Sequence, residues 1–186
     1  MGKKQTSEEL LRDAILTLSE EFPIDQISVK MLANESGVCI QTFYNHFSDK
    51  LDLVLWIHSS ECRRLLEKLR AGEMDLHDVN LSYILYYLKH ETFMKNAFNN
   101  THGQDSFERR SAEASTLLWE DYLKEKTNTE ELPPDIVFML EMYSAAVSVM
   151  MNRYLDYKEE ASPEEFAKLL ESSMPEKLRE YFNKAA

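Results

Sequence analysis

Cys39, Ile40, Gln41, Thr42, Tyr44, Asn45 and His46 crowd into one short stretch of chain. Their types point to recognition, not bond making. Gln and Asn amides pair bidentately with adenine edges in a major groove, and an aliphatic group such as Ile40 meets a thymine methyl. Thr42, Tyr44 and His46 carry groups that donate to phosphate oxygens, and Ser28 and Lys50 add a hydroxyl and a cation at either end of the segment. No acid occurs from Ser36 to Ser48, in a chain whose net charge is −12.

Other chemistries find little support. The histidines His46, His58, His77, His90 and His102 form no His-x-x-x-His pair, so no metal site is expected. The Gly-rich phosphate loops and the Gly-x-Ser-x-Gly elbow are missing. No enzyme and no cofactor is expected. Cys39 at a helix start could carry an acidified thiol, but no Lys or Arg adjoins it, and a small side chain facing DNA is the preferred reading.

To present such a surface the chain needs two short helices and a tight turn. Ser28 opens the first, with Val29, Leu32 and Ala33 on its apolar face, and Gly37 stops it where a left-handed residue is wanted. The second runs from about Cys39 to Phe47. Val38, Phe43 and Phe47 point inward, and Ala33 allows a close crossing. That is the helix-turn-helix layout, although two short helices and a glycine also suit any helical bundle. Before it, Thr6 and Glu9 form a capping box for a helix whose apolar pattern runs from Leu10 to Phe22 and ends at Pro23. After it, Ser48 or Asp49 caps a helix ending near Gly72. Further helices are expected at about 75–89, 91–99, 105–126, 134–158 and 175–183. Ser162 and Pro163 supply the N-cap and first position of another.

Four glycines and five prolines in 186 residues are too few for the turns of a strand-rich fold. The expected class is all-α: a three-helix head over 1–50, a linking helix over 49–71, and a larger helical domain over 72–186. The first fifty residues hold five bases and eight acids, a net of −3 that leaves −9 for the rest. Any DNA contact must therefore rest on shape and dimerisation, not on a basic coat. Two cysteines and a polar start without an export signal suggest the cytoplasm, and no apolar run approaches the ~20 residues that span a bilayer.

The second domain is rich in aromatics and Met, which suit adaptable apolar pockets. Candidates to line a ligand pocket are Tyr83, Tyr86, Tyr87, Phe98, Trp119, Tyr122, Met142 and Tyr143. For any single one of them ordinary core packing is the preferred reading. Ala145, Ala146, Val149 and Met150, with Phe166, Leu169 and Leu170, could form a dimer face, or pack within one chain.

Ile27-Ser28-Val29, Ala33, Ser36-Gly37-Val38 and Thr42-Phe43-Tyr44-Asn45-His46-Phe47-Ser48-Asp49-Lys50 followed by Leu53 resemble the signature of the TetR family. The resemblance implies a homodimer that binds double-stranded DNA, most often as a repressor, under a small-molecule effector or partner protein. It assigns phosphate contacts to Ser28, Thr42, Tyr44, His46 and Lys50, and base contacts to Cys39, Ile40, Gln41 and Asn45. Cys39 and Gln41 depart from the small polar residue and glycine usual there, so the operator sequence cannot be borrowed. In the second half, Tyr83 to Leu88, Trp119 to Leu123, Tyr143 to Ala146 and Ser162 to Phe166 look like the subgroup containing dihydroxyacetone-kinase operon regulators, which includes activators. The competing functions are a helical protein-binding adaptor that has lost DNA binding and a coactivator-dependent activator.

Overall fold

A computed structural model describes residues 5–183. Met1 to Lys4, read above as a polar start without an export signal, lie outside the described residues, as do the last three of the expected second domain.

The described residues are helical and contain no strand. Helix α1 (Ser7–Ser19) begins with the expected capping box: the Glu9 amide donates to Thr6 Oγ1 at 3.2 Å, and the Thr6 amide to Glu9 Oε2 at 2.8 Å. It stops before Phe22, and a 3-10 turn at Ile24–Gln26 drops Ile24 and Ile27 into the core. Helix α2 (Val29–Ser36) is capped by Ser28, whose Oγ accepts from Met31, and ends at Gly37 with φ +70°. Helix α3 (Ile40–His46) follows.

Helix α4 (Lys50–Arg70) starts on Asp49 and carries Lys68 and Arg70 in its last turn, where cations suit the helix dipole. Its length is about 31 Å, and it runs from α1 to α5 and α7. Helices α5 (Leu76–Lys89), α6 (Glu91–Asn99), α7 (Phe107–Thr127), α8 (Pro134–Tyr157), α9 (Pro163–Ser172) and α10 (Glu176–Asn183) build the rest. α7 and α8 form the most extensive pair; α9 lies on α5.

Two apolar cores result. One joins the inner faces of α1, α2 and α3 to α4, α5, α6, the far end of α8 and α9, and includes Leu11, Phe43, Ile57, Tyr87, Met151 and Phe166. The other gathers Leu66, Tyr122, Ile136, Leu140, Leu178 and Phe182 from α4, α7, α8 and α10. The head is thus fused to the body by a continuous core.

Asn96 on α6 reinforces that joint. Its Oδ1 accepts from the Ile24 amide at 2.7 Å, and its Nδ2 donates to the carbonyls of Ser19 and Phe22 at 3.1 and 2.8 Å. One side chain therefore satisfies three main-chain groups that the end of α1 would leave open.

α8 corrects the expectation about apolar runs. It has 24 residues, with a window of mean hydropathy 1.3, long and apolar enough to cross a membrane by length and composition. Only 28% of that window is buried. Phe138, Met142, Val149 and Met150 lie on its exposed side.

Candidate nucleic-acid interface and effector cavity

α3 is held by its inner face. Phe43 is fully buried, Phe47 and Val38 nearly so. Phe47 meets Trp56 of α4 edge-on at 5.8 Å. At 100° per residue, fixing Phe43 and Phe47 inward leaves Gln41 and Asn45 at the middle of the solvent face, with Tyr44 and His46 on opposite flanks. Ile40 and Tyr44 are 44% and 54% exposed, far more than large apolar side chains need be.

The outer residues interact modestly with one another. Gln41 Nε2 donates to Asn45 Oδ1 at 3.3 Å, which leaves the Gln41 carbonyl oxygen and the Asn45 amide nitrogen available. Cys39, at the N-cap, lies 3.0 Å from Thr42 Oγ1, and hydrogen bonds from Thr42 hold its thiol below the usual range. His46 Nδ1 faces Glu8 Oε1 of α1 at 3.1 Å, so this flank is tied to α1.

Lys50 stands differently from its expected role. Its ammonium donates to the carbonyls of Asp25 and Ile27 at 2.5 and 2.9 Å and is partly withdrawn from solvent. It clasps the turn before α2 and so fixes where Ser28 stands. Desolvation there pulls its pKa down. The cation that sequence reasoning missed is Lys30, exposed on the first turn of α2 and without an ion pair among the described residues. A lysine two residues after the Ser28 N-cap, on the first of the two short helices, was the available signal.

The body contains a cavity of about 60 Å³ between α4, α5, α7, α8 and α10. Of the eight expected lining residues it brings together Tyr83, Trp119 and Tyr143. The other five are corrected. Tyr87, Phe98 and Tyr122 are buried in the cores, Tyr86 packs on His90 with ring centroids 4.8 Å apart, and Met142 is 53% exposed on the outer side of α8. Unforeseen were Cys62, Asn80 and four serines, Ser111 and Ser115 on α7 and Ser144 and Ser148 on α8. Their i, i+4 spacing within apolar faces was the signal. Behind the wall, His58 bridges Tyr87 Oη and Ser115 Oγ, each at 3.1 Å. Burial pushes His58 down to about 4 and the Cys62 thiol up to about 12, so both stay neutral.

On the outer side of α7 and α8 runs an open groove of about 550 Å³ lined by Leu117, Ala145 and Val149 with a rim of Glu and Arg. Ala145 and Val149 are exposed in it, and Ala146 and Met150 are exposed on the same helix. Phe166 and Leu170 are not: both are buried in their own chain where α9 packs on α5, leaving Leu169 alone exposed. An α9 helix with Phe166 and Leu170 turned inward has no apolar pair left to offer.

Helices α1 to α3, with their exposed polar helix on a glycine turn, define a helix-turn-helix protein. The model of a family described as transcriptional regulator C-terminal region matches residues 75–176, more than half of the chain, and the chain belongs to the TetR family of transcriptional regulators. Regulators of this family bind DNA and are not enzymes. A curated relative, the HTH-type transcriptional regulator SAB2452 of Staphylococcus aureus (strain bovine RF122 / ET3-1), is 28% identical over 76 residues, 38% of this chain and 41% of that protein. The aligned part is thus under half of that relative's length. Among solved structures, the dihydroxyacetone kinase operon activator DhaS is similar with a TM-score of 0.57 and 16% identity, covering 97% of this chain and 98% of that one. The fatty acid degradation regulator FadR from Bacillus halodurans has a TM-score of 0.59 at 16% identity, covering 96% and 99%. At such identities the likeness is one of fold.

Proposed function

We propose that the chain represses transcription in the cytoplasm as a homodimer on a palindromic operator, with its affinity set by a small ligand or partner protein. The head would comprise residues 1–50, the link 49–71 and the regulatory body 72–186. The observation that carries this reading is the solvent face of α3: Gln41, Asn45, Tyr44 and Ile40 exposed together, with no acid among them, on a helix anchored by Phe43 and Phe47. Gln41 and Asn45 would read bases with Ile40 and Cys39 beside them. Tyr44, Thr42, His46 and Ser28 would meet phosphates, joined by Lys30, while Lys50 would position them. Two copies would meet through the outer groove of α7 and α8, each placing α3 in a major groove, with half-sites ~34–36 Å apart or at a multiple of that spacing. The cavity touches Cys62, Leu65 and Leu66 on α4, the same helix whose start holds the head.

Gel-shift titrations on operator variants test it. Tyr44→Ala should weaken binding to every sequence alike. Gln41→Ala should relax preference at one base pair by ~1–3 kcal/mol. Equal binding by Tyr44→Ala and the parent protein counts against the assigned face. The acidic head motivates the second reading, a protein-binding adaptor. Recovery of a palindromic site from genomic fragments at low salt eliminates it.

A further inference from the structure

We propose that the cavity selects an uncharged, largely apolar small molecule bearing one hydroxyl or carbonyl oxygen, and rejects carboxylates. This rests on the reading of the protein as ligand-controlled and narrows it to a chemical class.

The walls are Leu65, Leu76, Val79, Leu118, Val147 and Met174, and among the described residues no Asp, Glu, Lys, Arg or His lines them. A carboxylate placed here would lose its water and gain no counter-charge, which disfavours it strongly against a neutral molecule. The one nearby titratable base, His58, stands behind Ser115 and is held neutral by burial. It supplies no cation.

Two polar groups in the wall lack partners. Ser144 is 5% exposed and its hydroxyl makes no hydrogen bond among the described residues. Asn80 Nδ2 is buried without an acceptor. Buried polar groups are nearly always satisfied, so the Asn80 amide, with the unpaired Ser144 hydroxyl in the same wall, calls for a polar atom inside the cavity. Both Ser144 and Asn80 offer a donor, which a hydroxyl or carbonyl oxygen accepts. The other hydroxyls of the wall already have partners. Tyr143 donates to the Leu170 carbonyl, Tyr83 to Tyr87, and Ser148 to the Glu108 carbonyl. About 60 Å³ of cavity, at ~10–15 Å³ per water-sized group, admits a short chain and not a bulky ring system.

The test is calorimetric titration of the full-length protein at pH 7 with 2-butanone, 1-butanol and butanoate, which share a chain length, match the roughly four to six groups the cavity admits and differ in the head group. The ketone and alcohol should bind, and butanoate should bind at least tenfold more weakly. Asn80→Leu and Ser144→Ala should each weaken 2-butanone several-fold. Ser144→Ala, the smaller change, carries the test if Asn80→Leu does not fold. Butanoate binding as tightly as 2-butanone, no heat from either neutral probe, or unchanged affinity in both variants each overturns the proposal. Operator gel shifts run on the same preparations separate the two claims. Intact operator binding without probe heat sinks this inference alone. Probe heat without operator binding sinks the regulator reading and leaves the cavity assignment standing.

Discussion

At the scale of single residues, two lysines of the head differ in what their charge does. Lys30 stands free in solvent, whereas Lys50 is committed to two main-chain carbonyls. Lys30→Ala should reduce the salt dependence of operator binding by about one unit of slope, as loss of one phosphate contact does. Lys50→Met should leave that slope intact and lower folding stability by about 1 kcal/mol, since the exposed bond to the Asp25 carbonyl and the part-buried bond to the Ile27 carbonyl lose their donor. Salt-titrated binding and urea denaturation of both variants check this. If Lys50→Met changed the slope and not the stability, its clasp would be irrelevant. His58 makes a pH prediction. Its folded pKa of about 4 lies below the ordinary 6.5. The unfolded chain therefore gains a proton as pH falls through 6.5, while the folded chain does not until about 4. The contribution is complete above ~pH 6.5 and lost towards pH 4, on the order of 3 kcal/mol in all. Thermal melts between pH 6.5 and 5 should fall less steeply for His58→Gln than for the parent, and parallel curves would contradict the burial account.

At the scale of elements, the turn between α2 and α3 depends on Gly37 at φ +70°, with open space where a Cβ would go. Gly37→Ala therefore meets no clash and suffers only the left-handed backbone penalty, about 1–2 kcal/mol. A urea midpoint that did not move would show that the turn adapts. This element was legible in the sequence because its signals are local. Ser28, Gly37, Thr6 with Glu9, and Ser162 with Pro163 each act within one helical turn, and each cap forms where its residue type puts it. The end of α1 was harder, because the apolar pattern continues to Phe22 while the backbone turns at Ser19 to reach Asn96, a partner more than seventy residues away. The pocket was least legible. α8 is apolar on two sides, so period alone cannot say that Tyr143 faces the cavity and Met142 solvent. That choice is made by the register of α7 against α8, where Ser111 meets Ser148 at 3.1 Å. α9 shows the same limit: Phe166, Leu169 and Leu170 look alike in sequence, and packing on α5 sorts them.

At the scale of the molecule, a helix that could pass for a membrane span by composition leaves most of its apolar window uncovered in one chain. Covering it is the work proposed for a second copy. Val149→Asp, at 48% exposure beside the groove, should place an unpaired charge in that contact and weaken dimerisation by about 3 kcal/mol or more. Sedimentation should then report a monomer at concentrations where the parent is dimeric, with operator affinity falling in step. A Val149→Asp protein that stays dimeric would move the interface elsewhere.

If the proposed ligand control holds, the Asn96 clamp sets how the ligand's effect would reach DNA. Because one carboxamide on α6 grips the end of α1 while the root of α4 grips the turn before α2, the recognition unit has no slack of its own and cannot flex separately from those two helices. Motion must therefore be geared. With the part of α4 from Lys50 to Leu66 as a lever of about 24 Å, a pivot of roughly 5° at the cavity would carry the reading head sideways by about 2 Å, so in the proposed dimer a small wedge between packed helices would bring a pair of heads into or out of step with the groove.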